Sequence, residues 1–123
     1  MALDPLDALS PIDGRYAPGA APLRPYLSES ALIRERVRIE ADWLLALATE
    51  RPLGLAAAAS IPEAVLAAAR ELARAPPADA AAAVKVIERR TNHDVKAVEY
   101  YVRDQLASAG ACGSSESRIF RDA

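Results

Sequence analysis

Residues 88–101 read Glu88-Arg89-Arg90-Thr91-Asn92-His93-Asp94-Val95-Lys96-Ala97-Val98-Glu99-Tyr100-Tyr101. This run joins the end of one helical pattern to the start of another. Before it, segment 80–90 carries Val84, Val86 and Ile87, with Asp79 as a suitable cap. After it, Val95, Val98, Tyr101, Val102 and Leu106 recur at helical spacing, which predicts a helix from Asn92 to Ala107. Asn92 is expected to cap that second helix, so that its first backbone N–H groups point outward as an anion site. A proton carrier of neutral pH, two fixed positive charges and free amide donors then lie close together, a combination suited to phosphate or carboxylate.

The same spacing argument extends toward the N-terminus. Leu32, Ile33, Val37, Ile39, Trp43, Leu44 and Leu47 form an apolar pattern that predicts a helix from Ser28 to about Glu50, with Pro52 and Gly54 following it. Pro62 suits the first turn of a second helix, through Val65, Leu66 and Leu72 to Arg74, where Pro76-Pro77 stops it. Residues 1–27 hold prolines at 5, 11, 18, 22 and 25 together with Gly14 and Gly19, which reads as an extended arm with turns. Segment 110–123 is polar and aperiodic and is expected to be a divergent, disordered tail. No useful run of strand-period alternation occurs. The expected fold is all-α: an extended proline-rich arm, 1–27, then a domain of about four helices, 28–109.

Composition narrows the chemistry. The 123 residues contain 15 basic and 17 acidic side chains, a net charge of −2, and the signs are interleaved. No basic stripe is left to hold nucleic acid. A single cysteine, Cys112, excludes an internal disulfide and fits a reducing, cytoplasmic compartment; nothing beside it would activate the thiol. No apolar run reaches membrane-spanning length, and no secretory signal is visible. Abundant alanine fits closely packed helix backbones or simply a GC-rich genome.

Two strings carry a family resemblance. The segment from Glu88 to Tyr100 resembles the E-R-x-T-N-H-D-V-K-A-V-E-Y motif of bacterial adenylosuccinate lyases, within the fumarase/aspartase superfamily. Near the start, Ser10-Pro11-Ile12-Asp13-Gly14-Arg15-Tyr16 resembles that family's S-P-x-D-G-R-Y. The resemblance covers roughly residues 1–109, corresponding to the family's N-terminal domain. It implies cleavage of fumarate from adenylosuccinate, and from the succinylated aminoimidazole carboxamide ribonucleotide of purine synthesis, by β-elimination without a cofactor or metal. It further implies that Arg15, Tyr16, Arg89, Thr91, Asn92, His93 and Asp94 contact the substrate. Arg15 would grip phosphate through its two-pronged guanidinium, and His93 would assist rather than lead the proton transfers.

Read without the resemblance, each of these residues has a plainer role. His93 is then a surface histidine at a helix start, Arg15 a solvated turn residue, and Arg89 and Arg90 salt-bridge partners of Glu88 or of neighbouring helices. Arg90 also falls at the motif's variable position. Asp94 either orients the ring or caps the helix. Lys96 and Glu99, at i,i+3, make a surface ion pair, and Trp43, Tyr100 and Tyr101 are core or subunit contacts.

The family's principal base, a loop serine, and its acid, a histidine of a T-H-G-Q-type motif, are expected beyond residue 123, as is the helical bundle of its homotetramers. The family's F-x-H-F continuation is absent after residue 109; if Ser117 and the arginines use TCN and CGN codons, one-base reframing of Ser117–Arg121 permits Phe-Ala-His-Phe directly after Glu116. The expectation is a truncated, frameshifted lyase without turnover of its own. The alternative is a non-catalytic helical module that binds a phosphorylated ligand or a lyase subunit.

Overall fold

The computed structural model describes residues 4–49 and 61–111. The sequence expectations for Cys112, for Pro52 and Gly54, and for the tail from residue 112 onward lie outside them. The described residues are helical, with no strand among them. Two compact units divide between Leu32 and Ile33.

In the first unit the proline-rich segment differs from the extended arm the sequence predicts. It winds into short helical turns: α1 (Ala17–Ala20), a 3-10 turn (Ala21–Leu23) and α2 (Arg24–Leu27). Pro18, Pro22 and Pro25 occupy the first positions of these turns. There the missing N–H costs no hydrogen bond and the fixed φ favours the helix. The prolines that argue against a long helix thus start several short ones. Upstream, Asp4 Oδ1 accepts the Leu6 N–H at 2.9 Å and Ser10 Oγ accepts the Ile12 N–H at 3.3 Å. These are local side-chain substitutes for a regular backbone ladder.

The helix α3 (Glu29–Thr49) starts where Ser28 Oγ accepts the Ala31 N–H at 3.2 Å. It is followed by α4 (Glu63–Arg74), α5 (Ala80–Thr91) and α6 (Asp94–Ala111). Pro62 stands just before α4, and its carbonyl accepts from Val65 and Leu66. The chain leaves α4 in an extended conformation at Ala75, ahead of the proline pair. Asp79 precedes α5 as expected, but its side chain makes no capping bond, and only its carbonyl engages, accepting from Ala83.

The second unit packs α4 and α5 against α6. Val37, Val84, Val98 and Leu106 are its largest fully buried side chains, each contributing about 1.5–3 kcal/mol of apolar burial. Alanine does the spacing. Ala41, Ala69, Ala80 and Ala97 have no exposed surface, so the helix backbones approach closely, as the composition allows. At the far end of α6, a Cβ on Gly110 would meet Val65 Cγ2 at 3.3 Å, the same close approach between α6 and α4.

The apolar pattern of α3 splits in two. Ile33, Val37 and Ala41 face the core and Leu44 packs against it, whereas Leu32, Ile39 and Trp43 are 51%, 57% and 58% exposed. At 100° per residue, Ile39 and Trp43 fall on a common stripe turned more than 90° from Val37 and Ala41. Trp43 is therefore no core residue. It borders a groove of about 270 Å³ between α3 and α6, floored by Leu44, Val102 and Leu106.

Candidate functional site

The Gly14–Tyr16 segment lies in the first unit. Ser10 O accepts the N–H groups of Asp13 and Gly14 at 3.0 and 3.1 Å, and Pro11 O accepts that of Tyr16 at 2.9 Å. Gly14 is buried in this turn, where a Cβ would lie 2.9 Å from Pro5 O and 3.1 Å from Ala8 Cβ. Only glycine admits that backbone approach. Just past it the chain presents Arg15 and Tyr16 to solvent, with the guanidinium carbon 4.7 Å from the ring centroid. The stacking pre-orients the guanidinium while its N–H donors stay open to an anion.

The second cluster is the turn between α5 and α6. Asn92 does not cap α6, contrary to the sequence expectation. It closes α5 instead, in the left-handed region at φ 50° and ψ 33°, with its N–H donating to Glu88 O at 2.7 Å. Asparagine tolerates that conformation better than other residues with a Cβ. Thr91 Oγ1 donates to His93 O at 3.2 Å and reinforces the turn.

His93 itself stands immediately before α6 and closes its first turn. Its carbonyl accepts the Ala97 N–H at 3.1 Å, and its ring Nδ1 accepts the Lys96 N–H at 3.2 Å. The Val95 backbone N–H is engaged by the Asp94 carboxylate. The free amide donors expected at this helix start are thus partly taken up by the protein's own side chains. What the turn offers a ligand is the far edge of an exposed imidazole and two exposed guanidinium groups, Arg89 and Arg90. Neither arginine joins an ion pair among the described residues. Glu88, their sequence-expected partner, pairs with Lys85 at 2.7 Å.

Asp94 has a partner the sequence reading missed. Arg36 Nη1 donates to Asp94 Oδ2 at 2.8 Å, tying α3 to the first residue of α6 across 58 positions of chain. The Arg36 hydrogen bond, with the backbone N–H groups of Val95 and Asp94, holds the Asp94 carboxyl below its ordinary 3.8. The other oxygen, Oδ1, lies 3.8 Å from His93 Nδ1. Nothing in the primary sequence singles out Arg36 among Arg34, Glu35 and Arg38; it is found only once the helices are packed.

Further along α6 the expected pair is present. Lys96 Nζ donates to both carboxylate oxygens of Glu99 at 2.8 Å, which raises the lysine's pKa. The Lys96 ammonium and the Arg103 guanidinium both lie over the Tyr100 ring, 5.3 and 4.4 Å from its centroid, while Tyr101 is buried in the core. Among the described residues no group of His, Cys, Asp and Glu is placed to hold a metal ion, and no helix is long and apolar enough to cross a membrane.

No family model matches the chain. Individual relatives do. It is 41% identical over 112 residues to adenylosuccinate lyase of Escherichia coli K12 and 43% identical over 111 residues to adenylosuccinate lyase of Haemophilus influenzae. Those alignments cover 87% and 86% of this chain and 23% of either relative. The adenylosuccinate lyase of Dictyostelium discoideum is 36% identical over 107 residues, 85% of this chain and 22% of the relative. The chain therefore spans about a quarter of the length of the relatives it matches.

Proposed function

We propose that this chain, which belongs by sequence to the adenylosuccinate lyases, carries the phosphate-gripping and histidine-bearing N-terminal part of a cytoplasmic, homotetrameric enzyme that releases fumarate from succinylated purine nucleotides. The observation that carries this reading is the α5–α6 turn. Within a segment similar to lyases, it exposes Arg89 and the far edge of the His93 ring on a frame built by Thr91, Asn92 and Asp94.

Each group has a physical role in such a β-elimination. Arg15, backed by Tyr16, offers paired donors that neutralise a substrate phosphate, and Arg89 presents a fixed positive charge to a substrate anion beside His93. The reaction removes a proton beside a carboxylate, moves the electron pair into that carboxylate, and expels the nitrogen as it takes up a proton. His93, with Nδ1 committed to the helix start, has its Nε2–H available to donate to an anionic oxygen of the substrate as charge builds there. The principal base and acid of the resemblance lie outside residues 1–123, so the isolated chain is expected to bind nucleotide weakly and to turn nothing over.

The test grafts residues 1–109 in place of the matching segment of the Escherichia coli lyase. The chimera should form fumarate, and H93Q within it should lower kcat about 100-fold with a small change in KM, as loss of an assisting acid–base group does. A folded, active chimera indifferent to H93Q would overturn the assignment. Exposed Ile39 and Trp43 favour one other reading, a non-catalytic module that docks on a lyase subunit. It predicts an inactive chimera, and co-elution of the separate chain with the intact enzyme.

A further inference from the structure

Besides the backbone N–H groups of Val95 and Asp94, two side chains lie beside the Asp94 carboxylate. Arg36 Nη1 holds Oδ2 at 2.8 Å, and Oδ1 rests 3.8 Å from His93 Nδ1, adjacent but too far for a hydrogen bond. Nδ1 meanwhile accepts the Lys96 N–H. A neutral imidazole carries a single N–H, so an acceptor at Nδ1 puts the proton on Nε2, the ring edge directed away from the helix start.

We propose that Arg36 is a positioning residue that sets the His93 tautomer, by holding Asp94 off the ring so that Nδ1 stays an acceptor and Nε2 carries the proton outward. Without the guanidinium, the carboxylate keeps only the backbone N–H groups of Val95 and Asp94 as partners. An oxygen released beside Nδ1 then draws a proton to that nitrogen, because a charge-assisted hydrogen bond is stronger than the neutral one from the Lys96 amide. The ring would then present a bare Nε2, an acceptor, to a substrate oxygen that needs a donor. The hydrogen bond Arg36 makes here is to Asp94, and it acts on the ring through that carboxylate. Its bearing on turnover rests on the role of His93 proposed above. The tautomer, however, is read in the ligand-free chain, so either conclusion can fail alone.

His93 is the only histidine of the chain, so its ring nitrogens give an unambiguous signal. Long-range 15N–1H correlation on the histidine-labelled full chain, at a pH where the ring is neutral, should show the Nε2–H pattern. R36Q should raise the ratio of Nδ1–H to Nε2–H by roughly tenfold or more, the factor expected of a charge-assisted hydrogen bond. The double variant R36Q/D94A should return to the Nε2–H pattern, since the competing carboxylate is gone. A merely structural role for Arg36 predicts no such reversal. Should R36Q unfold, R36M keeps the aliphatic stem and removes the same charge. An unchanged ring pattern in whichever variant folds, or a D94A chain that itself moves to Nδ1–H, overturns the proposal.

Discussion

The two exposed turns are built on opposite plans. The Gly14–Tyr16 turn is closed almost wholly by neighbours in sequence: Ser10 and Pro11 carbonyls supply its hydrogen bonds, and Pro5 and Ala8 crowd Gly14. The Thr91–Asp94 turn is held by the ends of two long helices, one left-handed residue and an ion pair from a helix 58 positions away. A site made from local backbone needs one glycine in the right place. A site made from packed helices inherits its geometry from the core beneath it.

The largest test of that contrast is L106A. Leu106 is 1% exposed within the core that carries α6, and its truncation should cost about 2–5 kcal/mol in urea unfolding. A loss of much less than that would mean the second turn does not depend on the core. G14A attacks the other plan. Its methyl would lie 2.9 Å from Pro5 O, an overpacking expected to cost about 1–3 kcal/mol locally, read as faster amide exchange at Asp13, Gly14 and Tyr16. Unchanged exchange would show that the turn has room to give.

N92A is smaller, about 1 kcal/mol, because alanine in the left-handed region lacks asparagine's tolerance, while N92G should be neutral or slightly stabilising by the same melt. The gentlest test is acid. Asp94 titrates below its ordinary 3.8 in the folded chain, so the stability it lends is fully present above that value and is lost as pH falls through the lowered one. Carboxyl chemical shifts followed against pH should show Asp94 protonating below the ordinary aspartate value, and R36Q, which leaves the backbone N–H bonds in place, should narrow the difference.

The helices were legible because periodicity and punctuation agree: Ser28, Pro62 and the Pro76-Pro77 pair each mark a boundary seen in the structure. The motif's exposed position at a helix junction was legible as well. What misled is equally physical. Asn92 suits both a helix start and a left-handed helix end, and only the register of α5 decides between them. The mixed faces of α3 look like a single stripe when apolar residues are merely counted. Prolines spaced three or four apart look extended, yet they suit the first positions of successive short turns. Arg36 was invisible because an ion pair across 58 residues leaves no local trace.

Trp43 is the chain's single tryptophan, and it borders the groove between α3 and α6 without entering the core. Its indole is already wet in the folded state. Intrinsic fluorescence of this protein is thus nearly blind to unfolding and sensitive to contact: emission should barely redden in denaturant, and a shift to the blue would announce that something has come to lie against that face.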